Sequence, residues 1–275
     1  ALRSMEKKGW VSVTDRENLR KPYEQMETDI RLSPVMTGEQ QAAIDQLNAA
    51  QDAGVGDYVL KGVTGSGKTE VYLHAIKHCI ESGKDAIMLV PEISLTPQTV
   101  DRFRSRFGDG VAVLHSRLSA GERFDEWRRI RSGRVRVAVG ARSAVFAPFS
   151  HLGLVVIDEE HESSYRSDKS PRYHAAEVAK WRCGQNGGVL LLGSATPSLE
   201  TWHDAMEGKM KVLTLKERIN GKPLPRVEIV DMREELAQGN RSMFSGPLYK
   251  RMKECYLAEK QMILFLNRRG YSTFV

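Results

Sequence analysis

Cysteine is scarce: only Cys79, Cys183 and Cys255 occur in 275 residues. They are far apart, odd in number and never in CxxC spacing. That excludes a disulfide framework, argues against a cysteine zinc site within the chain, and fits a reducing, cytoplasmic setting. Long apolar runs are missing too. Runs such as 86–90 and 189–192 fall well short of the ~18 residues of a membrane-spanning helix, so no membrane partner is expected. Residues 1–10 are charged and lack the apolar stretch of a secretory leader. Residue 1 is alanine and not an initiator methionine, so a piece of a longer protein is expected. No internal repeat or low-complexity segment is visible.

What is present is globular. A hydrophobic fraction of 41% with 28% charged residues separates the chain from disordered sequences. Its length suggests about two domains and suffices to bury ~75% of the unfolded surface without disulfides or metal. Lys and Arg outnumber Asp and Glu by 41 to 35, a formal charge of +6, which favours polyanionic partners such as nucleic acid. Arginine is densest at 102–106 and 128–136.

From about residue 37, short apolar runs alternate with amphipathic stretches. The runs at 58–60, 86–90, 111–114, 135–139, 154–157 and 189–192 have strand length. Helical periodicity covers 38–50, 68–82, 97–107, 120–132, 175–183 and 198–208. This alternation predicts an α/β fold, a mainly parallel sheet covered by helices on both faces. Gly83 stands where a helix C′ glycine belongs, and Ser119-Ala-Gly-Glu122 is a capping box. The turn-rich segment 219–225 reads as a linker. Beyond it a strand at 227–230, a helix at 246–259 and a strand at 262–266 open a second α/β unit. Residues 1–34 read as a remnant of another module, with a helix at 2–8, a break at Gly9 and a strand at 10–13. The expected division is 1–34, 35–218 and 219–275.

Gly62-Val63-Thr64-Gly65-Ser66-Gly67-Lys68-Thr69 matches G-x-x-x-x-G-K-[ST] between a strand and a helix. The glycines let backbone N–H groups turn inward to form an anion nest, and the helix N-terminus adds partial positive charge. Lys68 is expected on the β- and γ-phosphates of a nucleotide, and Thr69 on Mg²⁺. The run 154–157 leads into Asp158-Glu159-Glu160-His161. A buried strand ending in acids places them at the carboxyl edge of the sheet. Asp158 is expected to hold Mg²⁺ through water, and Glu159 to orient or deprotonate the attacking water. Four carboxylates, at 158, 159, 160 and 162, repel one another unless a cation joins them.

Two motifs have double readings. In Gly193-Ser194-Ala195-Thr196-Pro197-Ser198, Thr196 as N-cap and Pro197 at N1 simply start a helix, or small hydroxyls link the γ-phosphate to a second domain. In Thr37-Gly-Glu-Gln40 the Gln40 side chain either closes a capping box or reads an adenine edge. Tyr165, Arg172 and Tyr173 lie in a polar loop where they either pack or stack on bases and hold phosphates.

These motifs, in this order and spacing, resemble the superfamily 2 helicases. Together with Leu89-Val-Pro-Glu-Ile-Ser-Leu-Thr-Pro-Gln98, Gly140-Ala-Arg-Ser-Ala144, Pro171-Arg-Tyr-His174 and Phe265-Leu-Asn-Arg-Arg-Gly-Tyr-Ser272, they resemble the primosomal replication-restart branch. The resemblance implies a RecA-like P-loop lobe, the start of a second RecA-like lobe, and a winged-helix remnant at 1–34. It implies a 3′-to-5′ DNA helicase that hydrolyses ATP with Mg²⁺, with Lys68, Asp158 and Glu159 catalytic. His161, Ser194 and Thr196 would couple hydrolysis to movement. Arg142, Tyr165, Arg172 and Tyr173 would bind DNA. Forks, D-loops and single strands are the implied DNA partners, alongside primosome proteins and single-strand-binding protein. A bacterial, nucleoid-associated monomer is expected. The family's Zn²⁺ module and transition-state arginine would follow residue 275, so the chain by itself is expected to be inactive. A loader or remodeller that uses ATP without unwinding remains the alternative, and a small-molecule P-loop kinase would lack the 265–272 segment.

Overall fold

The structure, a computed structural model, describes residues 2–12, 35–219, 221, 223 and 225–266. They fall into two compact units, 1–222 and 223–275. The first begins with helix α1 (Leu2–Lys7), which ends before Gly9 at φ +70°. Residues 10–12 form no strand, and residue 13 lies outside the described residues.

Seven strands then alternate with helices: α2 (Gly38–Ala53), β1 (Asp57–Gly62), α3 (Lys68–Glu81), β2 (Asp85–Leu89), α4 (Pro97–Phe107) and β3 (Val111–Leu114). They continue with α5 (Ala120–Arg131), β4 (Val137–Gly140), β5 (Leu152–Asp158), α6 (Ala175–Asn186), β6 (Val189–Ser194), α7 (Leu199–Met206) and β7 (Lys211–Leu215). The order across the sheet is β3-β4-β2-β5-β6-β1-β7, and every pairing is parallel. Successive side chains of β1 enter opposite cores. Leu60 packs with Leu47, Val71 and Ile76 on one face; Val59 packs with Ile157, Ala179 and Leu190 on the other. Burial on both faces is why these strands read as unbroken apolar runs.

The helix starts follow local chemistry. Thr37 Oγ1 accepts from Gln40 N–H at 3.3 Å while Thr37 N–H donates to the Gln40 side chain at 2.8 Å. Ser119 and Glu122 close the same box at the start of α5, and Thr96 caps α4 by accepting from Thr99 N–H alone. Strand bounds shift by small amounts; the run expected at 135–139 pairs as Val137–Gly140. β7 is absent from the apolar runs because an edge strand buries only one face, here Leu213 and Leu215.

The second unit holds α8 (Met232–Ala237) and α9 (Gly246–Leu257), capped by Asp231 and Ser245. Glu235 ties them, accepting from Asn240 Nδ2 at 2.6 Å and Gly246 N–H at 2.7 Å. The strands expected at 227–230 and 262–266 are not formed. Their composition suits a sheet, but a strand exists only as part of a ladder, and no described residue pairs with them. Residues 267–272 of the 265–272 motif lie outside the described residues, as do 220, 222 and 224 of the linker.

The other edge, β3, is protected by a buried ion pair. Glu126 accepts from Val113 N–H at 3.3 Å and from Arg129 Nη1 at 2.7 Å. Arg129 Nη2 in turn donates to the Asp109 carbonyl at 2.8 Å. Burial raises the Glu126 pKa and Arg129 opposes the rise. Glu126→Ala would leave a buried guanidinium and an edge N–H without their acceptor, and should destabilise the fold by about 3–5 kcal/mol. Glu126→Gln, which keeps an acceptor, should cost less, as read from urea unfolding midpoints.

Candidate nucleotide-binding site

The loop after β1 is held from outside by its carbonyls. Arg218 Nε donates to Thr64 O at 3.0 Å, and Ile219 N–H to Gly65 O at 3.0 Å. Within the loop, Val63 N–H bonds to Leu215 O at 3.3 Å and Ser66 N–H to Val63 O at 3.0 Å, so those two N–H groups are already engaged. Gly65 and Gly67 both adopt φ +82°, and a Cβ on Gly67 would run into the Gln40 amide. α3 begins at Gly67 with no side-chain cap, whereas α2, α4, α5 and α7 are capped by Thr37, Thr96, Ser119 and Ser198. Ser66 Oγ is buried without a partner inside the turn. An uncapped helix end, an orphaned hydroxyl and a buried lysine together fit a phosphate chain.

Lys68 is 9% exposed. Its Nζ donates to Gly62 O at 3.0 Å and lies 3.7 Å from Glu159 Oε1. The phosphate loop and the acidic motif therefore face each other. Gln40 is buried; its Oε1 serves the capping box and its Nε2 donates to Ser66 O at 2.9 Å. One amide proton and one lone pair remain after those bonds.

The acids after β5 separate. Asp158 Oδ1 accepts from Tyr72 OH at 3.0 Å, and Tyr165 OH donates to the Asp158 carbonyl at 2.7 Å. Burial, then the neighbouring Glu159, raises the Asp158 pKa, opposed by the Tyr72 hydroxyl and Lys68. Glu159 sits at φ +46°, a left-handed conformation rare for glutamate. Glu160 turns into the protein and accepts from Ser198 N–H at 2.7 Å, Ser198 Oγ at 3.2 Å and Thr201 Oγ1 at 3.0 Å. A cation shared among all four carboxylates is thus not how the cluster is held: Glu160 is bonded to Ser198 and Thr201 at the start of α7. Among the described residues no three His, Cys, Asp or Glu side chains form a metal cage. Mg²⁺ needs none, since it is held by one or two carboxylates together with substrate phosphates and water.

His161 Nδ1 is 2.8 Å from Ser194 Oγ and 3.7 Å from Glu159 Oε2. Ser194 Oγ also accepts from Thr196 N–H at 2.9 Å. The acidic motif and the 193–198 motif are therefore joined. The helix-start reading of Thr196 and Pro197 is displaced, because Ser198 is the N-cap of α7.

The nucleic-acid candidates divide. Tyr165 is 1% exposed and packed in the core, so the expectation that it stacks on DNA is corrected: its ring supports β5. Arg142 opens a short 3₁₀ turn (Arg142–Phe146). Its Nη1 donates to the carbonyls of Ser164 and Arg166, and its guanidinium lies 5.7 Å from the Tyr173 ring. Phe146 meets Tyr173 edge-on at 5.0 Å. Arg172 is exposed beside them.

Tyr72, Arg218 and Phe146 carry site geometry that no motif flagged. Only Tyr72 had a signal, its i+4 position from Lys68 on the same helix face. A Cβ at Gly193 would collide with the Tyr72 hydroxyl, so glycine there admits the Tyr72–Asp158 bond. Tyr72→Phe should lower stability by about 1.5–3 kcal/mol at neutral pH, the worth of a hydrogen bond to a charged group. Burial holds the Asp158 carboxyl above the usual carboxylate range in the fold, and losing the hydroxyl moves it higher still. The difference from wild type should therefore be full above that raised pKa and fade as pH falls through it, measured by denaturant melts across acid pH.

A family model for DEAD/DEAH box helicases matches residues 37–205. The chain is 49% identical over its full length to replication restart protein PriA of Bacillus subtilis (strain 168), covering 34% of that protein. It is 46% identical over its full length to the protein of the same name from Synechocystis sp., covering 33%. Over 87% of its length it is 40% identical to the one from Haemophilus influenzae, again covering 33%. The chain thus spans about a third of the length of these curated relatives. In three dimensions it is similar to RecG bound to a three-way DNA junction, with a TM-score of 0.50 and 23% identity. That alignment covers 76% of this chain and 29% of the other, and shows the RecA-like fold alone. Matched through most of its seven-stranded unit, the chain belongs to the DEAD/DEAH box helicase family.

Proposed function

We propose that the seven-stranded unit is the ATP-binding lobe of a replication-restart DNA helicase, and that residues 223–275 open its second lobe. The observation that carries this reading is the meeting of Lys68 with Gly62 O and Glu159 at one sheet edge. Loop N–H groups and Lys68 neutralise the phosphate chain. Thr69 and Asp158 hold the divalent ion, with Tyr72 fixing the Asp158 carboxylate. Bound ATP·Mg²⁺ supplies a phosphoanhydride whose leaving-group charge the metal neutralises. Glu159, swung toward Lys68 by its left-handed backbone, orients the attacking water and takes its proton. Gln40 meets the adenine edge with its remaining proton and lone pair while its bond to Ser66 holds the loop. His161, Ser194 and Thr196 pass the change at Glu159 to the 193–198 segment.

DNA lies across the Arg142, Phe146, Arg172 and Tyr173 cluster, where aromatic rings and guanidinium groups suit single-strand bases and phosphates. The resemblance to replication-restart helicases supports 3′-to-5′ movement, fork and D-loop substrates, and partnership with primosome and single-strand-binding proteins. By itself the chain binds ATP·Mg²⁺ weakly and turns it over negligibly, because an arginine finger worth ~10³–10⁵ in rate is assigned by that resemblance to a segment after residue 275.

Nucleotide binding is therefore the direct readout for this chain. Lys68→Ala should weaken a fluorescent ATP analogue with Mg²⁺ by ~10–100-fold, the loss of a charge-assisted contact, and leave single-strand DNA affinity intact. Unchanged nucleotide affinity would reject the site. Arg142→Ala should do the reverse, weakening single-strand binding and reducing the slope of log K against log salt by ~0.7, one phosphate contact. An unchanged slope would limit Arg142 to anchoring the 163–174 loop.

A further inference from the structure

Consecutive carbonyls of the phosphate loop are each taken by a different donor. Arg218 Nε donates to Thr64 O at 3.0 Å, Ile219 N–H to Gly65 O at 3.0 Å, and Gln40 Nε2 to Ser66 O at 2.9 Å. Arg218 and Ile219 belong to the segment that follows β7. That segment is fastened again just upstream. Leu215 O accepts from Val63 N–H at 3.3 Å, and Lys216 N–H donates to Glu39 Oε2 at 2.7 Å. Residues 215–219 therefore run as a strap beside the loop, bonded to it at either end. By sequence Ile219 opens a linker; in the fold it belongs to the first unit.

The strap delivers one side chain to a particular place. A Cβ on Gly67 would run into the Gln40 amide and into Ile219 Cδ1 alike. The two side chains thus converge beside Gly67, where α3 begins. Ile219 is nonetheless 58% exposed. A single exposed isoleucine is ordinary on a protein surface. This one differs in two respects. Its backbone is pinned to Gly65 O, so the side chain is held in place at the rim of the loop. Its neighbour, the buried Gln40 amide, still has one proton and one lone pair to offer.

A nucleobase has the matching chemistry: its edge carries hydrogen-bonding groups and its faces are apolar. Gln40 offers a partner for the edge and Ile219 a partner for a face. Both adjoin the loop whose buried lysine and uncapped helix end suit a phosphate chain. Laying a base on Ile219 withdraws apolar surface of both from water. Resting on the ATP-binding reading, we infer that Ile219 is a base-binding residue, the side chain on which the adenine face of the nucleotide lies. Arg218 is a positioning residue that holds the strap against the loop. A segment outside every sequence motif thus forms one wall of the nucleotide site, and it acts on the base and not on the phosphates.

The test uses the whole 275-residue chain with excess Mg²⁺ and a ribose-labelled fluorescent ATP analogue. Unlabelled ATP and inorganic tripolyphosphate compete for it, and their inhibition constants are compared. Tripolyphosphate carries a phosphate chain and no base. Ile219→Ala should weaken ATP by ~4–15-fold, the loss of one or two covered methylene equivalents. It should leave tripolyphosphate unchanged, which also shows that the fold is intact. Ile219→Phe, which restores an apolar face, should recover ATP affinity. Arg218→Ala should weaken both competitors by the same factor, because it acts through the loop. An unchanged ratio of ATP to tripolyphosphate affinity in Ile219→Ala overturns the inference. If Lys68→Ala still weakens both competitors in that case, the phosphate site stands and Ile219 merely packs beside it. If neither competitor displaces the analogue from the wild-type chain, the ATP-binding reading fails and the inference falls with it.

Discussion

Lys68 is an ammonium group withdrawn from water, and a carbonyl and a carboxylate meet it there. Gly62 O is 3.0 Å away and Glu159 Oε1 3.7 Å. Those partners come from the ends of β1 and β5, which flank β6 in the sheet. Parallel strands are about 4.8 Å apart, so a loop after β1 and one after β5 bracket a space about two strands wide, open at the carboxyl edge. β6 fills the gap with Gly193, whose missing side chain makes room for the Tyr72 hydroxyl, and with Ser194, which meets His161. Glycine, serine and a buried tyrosine are thus consequences of one strand order.

The acidic motif shows how a backbone turn divides similar side chains. Asp158 still belongs to β5 and stays half-buried against Tyr72. Glu159, at φ +46°, swings toward the lysine. Glu160 points the other way and caps the start of α7. Such a left-handed residue costs about 1–3 kcal/mol. The bonds on either side of it over-determine the turn: Tyr165 OH to the Asp158 carbonyl before it, and Ser198 with Thr201 to Glu160 after it. Strain at Glu159 is thereby supported by groups on either side of it.

The membership in the DEAD/DEAH box helicases rests on the seven-stranded unit, while the curated relatives are about three times as long. The second unit is described only by two capped helices and the turn Glu235 organises between them. Its apolar segments 227–230 and 262–266 have the composition of buried strands and remain unpaired among the described residues. A sheet is a cooperative object in which each strand's backbone groups are satisfied by its neighbours. Composition alone does not make a strand.

Much was legible in advance wherever the determinant is local. The phosphate loop, the capping boxes at Thr37 and Ser119, and the apolar runs of β1 to β6 depend on residues a few positions apart. Backbone conformation and strand burial leave direct marks there. What no local pattern carries is which distant groups meet. That Gln40 would hold Ser66, that Tyr72 would bond Asp158, and that Glu160 would leave the cluster to cap α7 follow from strand order and helix packing. So does the burial of Tyr165, whose polar neighbours in sequence read as an exposed loop. The chain by itself determined the chemistry available at each strand end; the fold decided which of those ends share a site, because side-chain meetings across 26 to 86 residues of sequence are set by the order of parallel strands and not by spacing along the chain.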